Sequence, residues 1–123
     1  MFNSFKEMPV WQDALNLAKG IFSLTEKLPR KEDYGLTSQL RRAALSVSSN
    51  IAEGFGRKHS KDKIRFYYHS RGSLAETQSQ IIYAREVGYF SEEDVESLIY
   101  LTDSIWKQLN YLTSSLESNI VDA

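Results

Sequence analysis

The chain contains no cysteine, which excludes disulfides, thiolate nucleophiles and cysteine-bearing zinc sites together, and with them a disulfide-stapled secreted scaffold. Only Pro9 and Pro29 and six glycines interrupt it, so long helices are permitted. The longest apolar runs, such as IIYA and LIYL, fall far short of the roughly 20 residues that a membrane span needs. The amino-terminal MFNSFKEMPV has no apolar stretch after a basic start. No signal peptide is therefore expected, no membrane contact, and a cytoplasmic location. No segment combines low hydrophobicity with high net charge, and no repeat of about 20 to 50 residues is present. One domain over residues 1–123 is expected, ordered from about residue 9 to about residue 117.

What is present is helical periodicity, in four windows. The first runs from Pro9 to Leu28, with Trp11, Ala14, Leu15, Ala18, Ile21, Phe22, Thr25 and Leu28 at helical spacing. Proline suits the first turn, where its missing N–H is no loss, and Pro29 followed by RKEDYG predicts a charged loop. The second window begins near Thr37 as N-cap and carries Leu40, Ala43, Ala44, Val47 and Ile51 on one face. It ends at Gly54, read as a C′ glycine in the left-handed conformation. The third, from about Lys61 to Val87, has Ser60 as N-cap and Gly88 as stop, with Ile64, Tyr67, Tyr68, Leu74, Ala75, Ile81 and Ile82 as its apolar positions. The fourth opens on SEED, where Ser91 and Asp94 have capping-box spacing. It continues through Val95, Leu98, Thr102, Ile105, Trp106, Leu109, Leu112 and Leu116. No window alternates with period two. Four helices with short connections predict an all-α, antiparallel up-down-up-down bundle.

The stretch NIAEGFGRKHSKDK, Asn50 to Lys63, then reads as a helix stop, a turn and a helix start. A phosphate-binding P-loop would need Gly-x-x-x-x-Gly-Lys-Ser/Thr after a strand, and a dinucleotide site a third spaced glycine; neither pattern is present. His59 and His69 stand ten residues apart and do not form the i, i+4 pair that holds zinc on a helix. No serine lies in a Gly-x-Ser-x-Gly elbow. Glu53 and Glu76 fall off the inferred core faces and read as surface or ion-paired carboxylates rather than an acid/base pair. No catalytic residue, metal or cofactor is expected.

Charge is unevenly placed along the chain. From Arg41 to Arg71 eight basic residues face two acidic ones, a net of +6, and from Glu76 to Ala123 two face nine, a net of −7. Arg41, Arg42, Arg57, Lys58, Lys61, Lys63 and Arg65, with Phe66, Tyr67 and Tyr68 interleaved, are candidate nucleic-acid contacts. The same charges would also serve a head-to-tail contact between copies. At about 100° per residue, Leu17, Leu24, Leu45, Ser48, Ser49, Ala52, Tyr100 and Tyr111 turn away from the core stripes, so they are candidate subunit-interface residues and a homo-oligomer is expected.

The segments VWQDALNLA, LTSQLRRAALSVSSNIAEGFGR and FYYHSRGSLAETQSQIIYAREVGYF together resemble the 23S rRNA intervening-sequence protein family, from about Val10 to Leu116. Asn50-Ile51-Ala52-Glu53-Gly54, then Arg57, then Ser73-Leu74-Ala75-Glu76 match its pattern in order and spacing. The resemblance implies a bacterial four-helix bundle assembled as a homopentamer, with no catalytic residues to carry over. The family is related to the accessory variability determinants of diversity-generating retroelements, a group that forms similar pentameric barrels with basic surfaces that engage nucleic acid and a reverse transcriptase. Two uses follow as expectations: nucleic-acid or nucleoprotein binding by a self-assembled bundle, or an interaction scaffold without nucleic acid. A catalytic site formed between subunits is a third.

Overall fold

The computed structural model describes residues 1–122, with side chains to residue 120, and contains four α-helices: α1 (Pro9–Thr25), α2 (Leu36–Gly56), α3 (Ser60–Glu86) and α4 (Glu92–Asp122). Short 3₁₀ turns, Phe5–Glu7 and Arg30–Glu32, precede α1 and α2. Cross-helix bonds set the directions: Arg41 reaches Thr25, Ser70 donates to the Val47 carbonyl, Gln78 reaches Asp103 and Gln108 reaches Asp13. Each helix runs antiparallel to both neighbours. Packing joins α1 to α2, α2 to α3, α3 to α4 and α4 back to α1, while the backbones of the diagonal pairs stay apart. The cross-section is a square, and the chain is the all-α up-down bundle that its periodicity predicts.

The core runs through all four helices, with Leu17, Ile21, Leu40, Val47, Ile51, Leu74, Ile81, Val95, Ile105 and Leu109 fully enclosed. At roughly 1.5–3 kcal/mol for each large apolar side chain buried, this packing, rather than local propensity, holds the helices.

Several caps differ from the sequence expectation. Helix α1 ends at Thr25, one turn before Leu28, where the chain tightens so that the N–H groups of Lys27 and Leu28 reach only three residues back, to Leu24 at 3.2 Å and Thr25 at 3.1 Å, ahead of Pro29, which disfavours the helical conformation in the residue before it. Thr37 does not cap α2: the helix starts at Leu36 after Gly35, the Leu36 N–H donates to Glu32 at 3.3 Å, and the buried Thr37 hydroxyl has no partner. Ser60 lies inside α3, whose N-cap position is His59. At the N-terminus of α4, Ser91 Oγ does accept the Asp94 N–H at 3.1 Å.

Gly54 is the largest departure. It sits within α2 and has no positive φ; it is needed for close approach, because a β-carbon there would lie 2.7 Å from Tyr67 Cε1. The left-handed glycine is Gly88, at φ 85°. There the Tyr89 N–H reaches the Ala84 carbonyl at 2.8 Å and the Gly88 N–H reaches Arg85 at 3.0 Å, the paired bonds of a Schellman motif.

Candidate interaction surfaces

The basic residues divide by what their side chains touch. Arg41 is held within the bundle: its Nε donates to Thr25 Oγ1 at 2.7 Å, its Nη2 to Glu26 at 3.0 Å, and its guanidinium lies 4.4 Å from the Phe22 ring centre. Lys63 is also committed, donating to the carbonyls of Gly54 at 3.3 Å and Phe55 at 2.8 Å. These are among the last carbonyls of α2, where a cation offsets the negative end of the helix dipole. Desolvation holds its ammonium below the usual lysine value of 10.5. Neither residue is available to a phosphate.

The others stay on the surface. Arg57 pairs with Glu53 at 3.1 Å and Arg65 with Asp62 at 3.9 Å, and each guanidinium lies 4.6 Å from the centre of the Phe66 ring. His69 meets the same ring edge-on at 5.9 Å. Phe66 therefore orients two arginines, a different role from the base-stacking platform that its place among basic residues suggests. Arg42, Lys58 and Lys61 are exposed and have no ion pair among the described residues. The turn between α2 and α3 is thus a basic corner where Arg57 and Arg65 stack on one aromatic ring and the exposed Lys58 and Lys61 add charge close by in the chain.

The subunit-interface candidates divide as well. Leu17 is corrected outright, being fully enclosed in the bundle core. Leu24 is half-buried and packs against that core, and Ser48 is buried, its hydroxyl donating to the Leu45 carbonyl at 3.0 Å. Leu45 is 57% exposed, Tyr100 80% and Tyr111 76%; Ser49 is exposed and Ala52 half-buried.

Other exposed apolar side chains come from positions expected in the core. Leu15, Phe22, Tyr68, Ile82 and Trp106 are all at least a third exposed, and Ala75 is exposed too. They sit on the shoulders of their helices, next to a neighbouring helix. The Arg41–Phe22 stack places Phe22 toward α2. Arg71 donates to Asn110 at 2.7 Å while lying 4.8 Å from the Tyr68 ring and 5.2 Å from the Trp106 ring, which places those rings along the α3/α4 seam. These shoulder positions therefore fall on two faces, while Tyr100 and Tyr111, well round α4 from Trp106, lie on neither. The α1/α2 face presents Leu15, Ala18, Phe22, Leu45, Ser49 and Ala52, and the α3/α4 face presents Tyr68, Ala75, Ile82 and Trp106. In the square cross-section these two faces are opposite. A shoulder signal was available in the sequence: Tyr68, Ala75 and Ile82 recur every seven residues beside the core stripe.

Cross-helix bonds fix which residues share a height. Ser46 meets Ser73 at 2.9 Å, Gln78 meets Asp103 at 3.2 Å and Arg71 meets Asn110. Counting along antiparallel helices of equal rise, Arg42 comes within one residue of the height of Asp103, Leu45 within one of Ala75 and Trp106, and Ser49 within two of Tyr68.

No cluster of three metal-ligating side chains converges among the described residues, and none of their helices is long and apolar enough to cross a membrane. No curated protein matches the chain. Among solved structures it is similar to a protein of unknown function from the S23 ribosomal protein family of Bacteroides thetaiotaomicron. Identity is 22% and the TM-score 0.79, over 85% of this chain and 97% of that one, a likeness that speaks to the fold. The family described as 23S rRNA-intervening sequence protein matches residues 6–111, and the chain belongs to that family.

Proposed function

We propose that the chain is a non-enzymatic, cytoplasmic subunit that assembles side by side, the α1/α2 face of one copy against the α3/α4 face of the next. One observation carries this reading: two opposite faces each expose apolar side chains, at nearly matching heights along the bundle. The α3/α4 face offers the bulky Trp106 and Tyr68, and the α1/α2 face offers the small Ala18, Ser49 and Ala52 between Leu15, Phe22 and Leu45. Tryptophan, tyrosine and arginine dominate binding energy at interfaces, and Arg71 lies between the two rings. Charge agrees, with Arg42 on one face close to the height of Asp103 on the other. A contact between unlike faces repeats, and it closes into a ring when its rotation allows; five copies is the number that the family resemblance implies.

The test uses one variant per face. Trp106→Glu and Leu45→Glu should each reduce the mass in light scattering to that of a monomer. Mixed together, the two variants retain one intact face apiece and should form a dimer and nothing larger. Variants that keep the wild-type mass, or a mixture that stays monomeric, would refute the pairing.

A second use has its own observation. The α2–α3 corner, at one end of the bundle, holds Arg57 and Arg65 around Phe66, with the exposed Lys58 and Lys61 nearby in the chain; Lys61, seven residues before Tyr68, borders the α3/α4 face. The corner suits the phosphates of a nucleic acid, in a mode that does not read bases. Binding that weakens steeply with salt is expected; a salt-independent titration, or none, would leave the scaffold reading.

A further inference from the structure

We infer that a single-stranded nucleic acid binds along one rim of the assembly, bridging the α2–α3 corners of adjacent copies, so that each protomer supplies only part of the site. This rests on the side-by-side reading. The nearly matched heights of Arg42 with Asp103, Leu45 with Trp106 and Ser49 with Tyr68 pair the faces with bundle axes parallel. Every α2–α3 turn then lies at the same end. The opposite end of each bundle carries the α1–α2 connection, where Lys27, Arg30 and Lys31 are matched by Glu26, Glu32 and Asp33, and begins α4 with Glu92, Glu93 and Asp94 followed by Glu96; its excess of acid repels a polyanion, so one rim is selected.

A single corner is a poor site. Two of its four cations, Arg57 and Arg65, already face Glu53 and Asp62, and few phosphates can be neutralised there. Neighbouring corners stand roughly two helix diameters apart, about 20 Å. A strand held by one corner meets the next at an effective concentration in the millimolar range, without any new contact. An evenly spaced row of cations fits the evenly spaced phosphates of a nucleic acid. A duplex, with a persistence length of about 50 nm, resists following so small a rim, and this favours the single strand. The guanidinium groups already gathered on Phe66 leave phosphate, rather than base, as the contact.

The experiment titrates oligo-uridine strands, from about four nucleotides to about forty, against three samples of known mass: the wild-type chain, Trp106→Glu, and the mixture of Trp106→Glu with Leu45→Glu. Circular dichroism confirms folding, and Tyr68→Glu replaces Trp106→Glu if the latter does not fold. The wild type should gain at least tenfold in affinity once strands span two corners, the monomeric variant should show no such step, and the mixed dimer should regain it. A duplex of spanning length should bind more weakly than the single strand. An oligomeric wild type with no length step, or a monomeric variant that keeps one, overturns the inference while the assembly stands. A monomeric wild type overturns both, and the mass measurement separates the two failures.

Discussion

The Tyr67 ring of α3 occupies the space into which a β-carbon on Gly54 of α2 would project, 2.7 Å from its nearest atom. Gly54→Ala should therefore destabilise the chain by about 1–2 kcal/mol, since the overpacking cost exceeds the roughly 1 kcal/mol by which alanine favours a helix. Denaturant unfolding would measure the loss. Combining the change with Tyr67→Leu should recover part of it, which a backbone strain at Gly54 would not allow.

Gly88 and Gly72 should respond in opposite directions. Gly88→Ala forces a side chain onto a backbone at φ 85° and should cost about 1–2 kcal/mol. Gly72 is in mid-helix with nothing within 4 Å of an added β-carbon, so Gly72→Ala should stabilise by about 0.5–1 kcal/mol. Thermal unfolding of the pair checks both signs.

Lys63 and its neighbours should separate stability from binding. Lys63→Met removes the cation bonded to the Gly54 and Phe55 carbonyls and should cost about 1 kcal/mol with little change in affinity for oligo-uridine. Lys58→Gln with Lys61→Gln should leave stability unchanged and flatten the salt dependence of binding by about 0.7 in slope per cation removed. Equal effects of Lys63→Met and the double variant on that slope would contradict the division.

Tyr89 donates to Glu32 at 2.8 Å, and this hydrogen bond first, then desolvation, raises its hydroxyl above the usual value of 10.0. Tyr68 is raised in the same way by its bond to Glu117. A folded pKa above the unfolded one gives a contribution to stability that is complete below the unfolded value and lost as pH rises through the folded value. Stability should therefore fall above about pH 10, and less steeply in Tyr89→Phe. Denaturant midpoints taken across that range test the sign.

The helices were legible because a 3.6-residue pattern sustained over long windows outvotes any single exception. Their ends were less so, because a glycine lacking a β-carbon serves a left-handed turn and a close helix contact equally well, and Tyr67, which decides the matter for Gly54, lies in another helix. The fate of the basic residues was hidden for the same reason. Arg41 is taken up by Phe22, Thr25 and Glu26 across the α1/α2 seam, whereas Lys58 has no such neighbours. Apolar shoulders such as Trp106 and Ile82 read as core because periodicity ranks positions by angle, and exposure at the edge of a stripe depends on how near the adjacent helix stands.

The bond between Asp13 and Gln108 joins residues 95 apart in sequence, and it belongs to the seam where α4 closes the square against α1. During synthesis α1 is complete long before its second neighbour exists. The α1/α2 hairpin can form early from local contacts, but Trp106 arrives only with α4, and its face is not assembled until that long loop has been closed. On the proposed side-by-side assembly, a nascent chain thus presents one docking surface and lacks the other. Such a half-made copy could dock on one neighbour, and only completion of the bundle would let it extend the assembly.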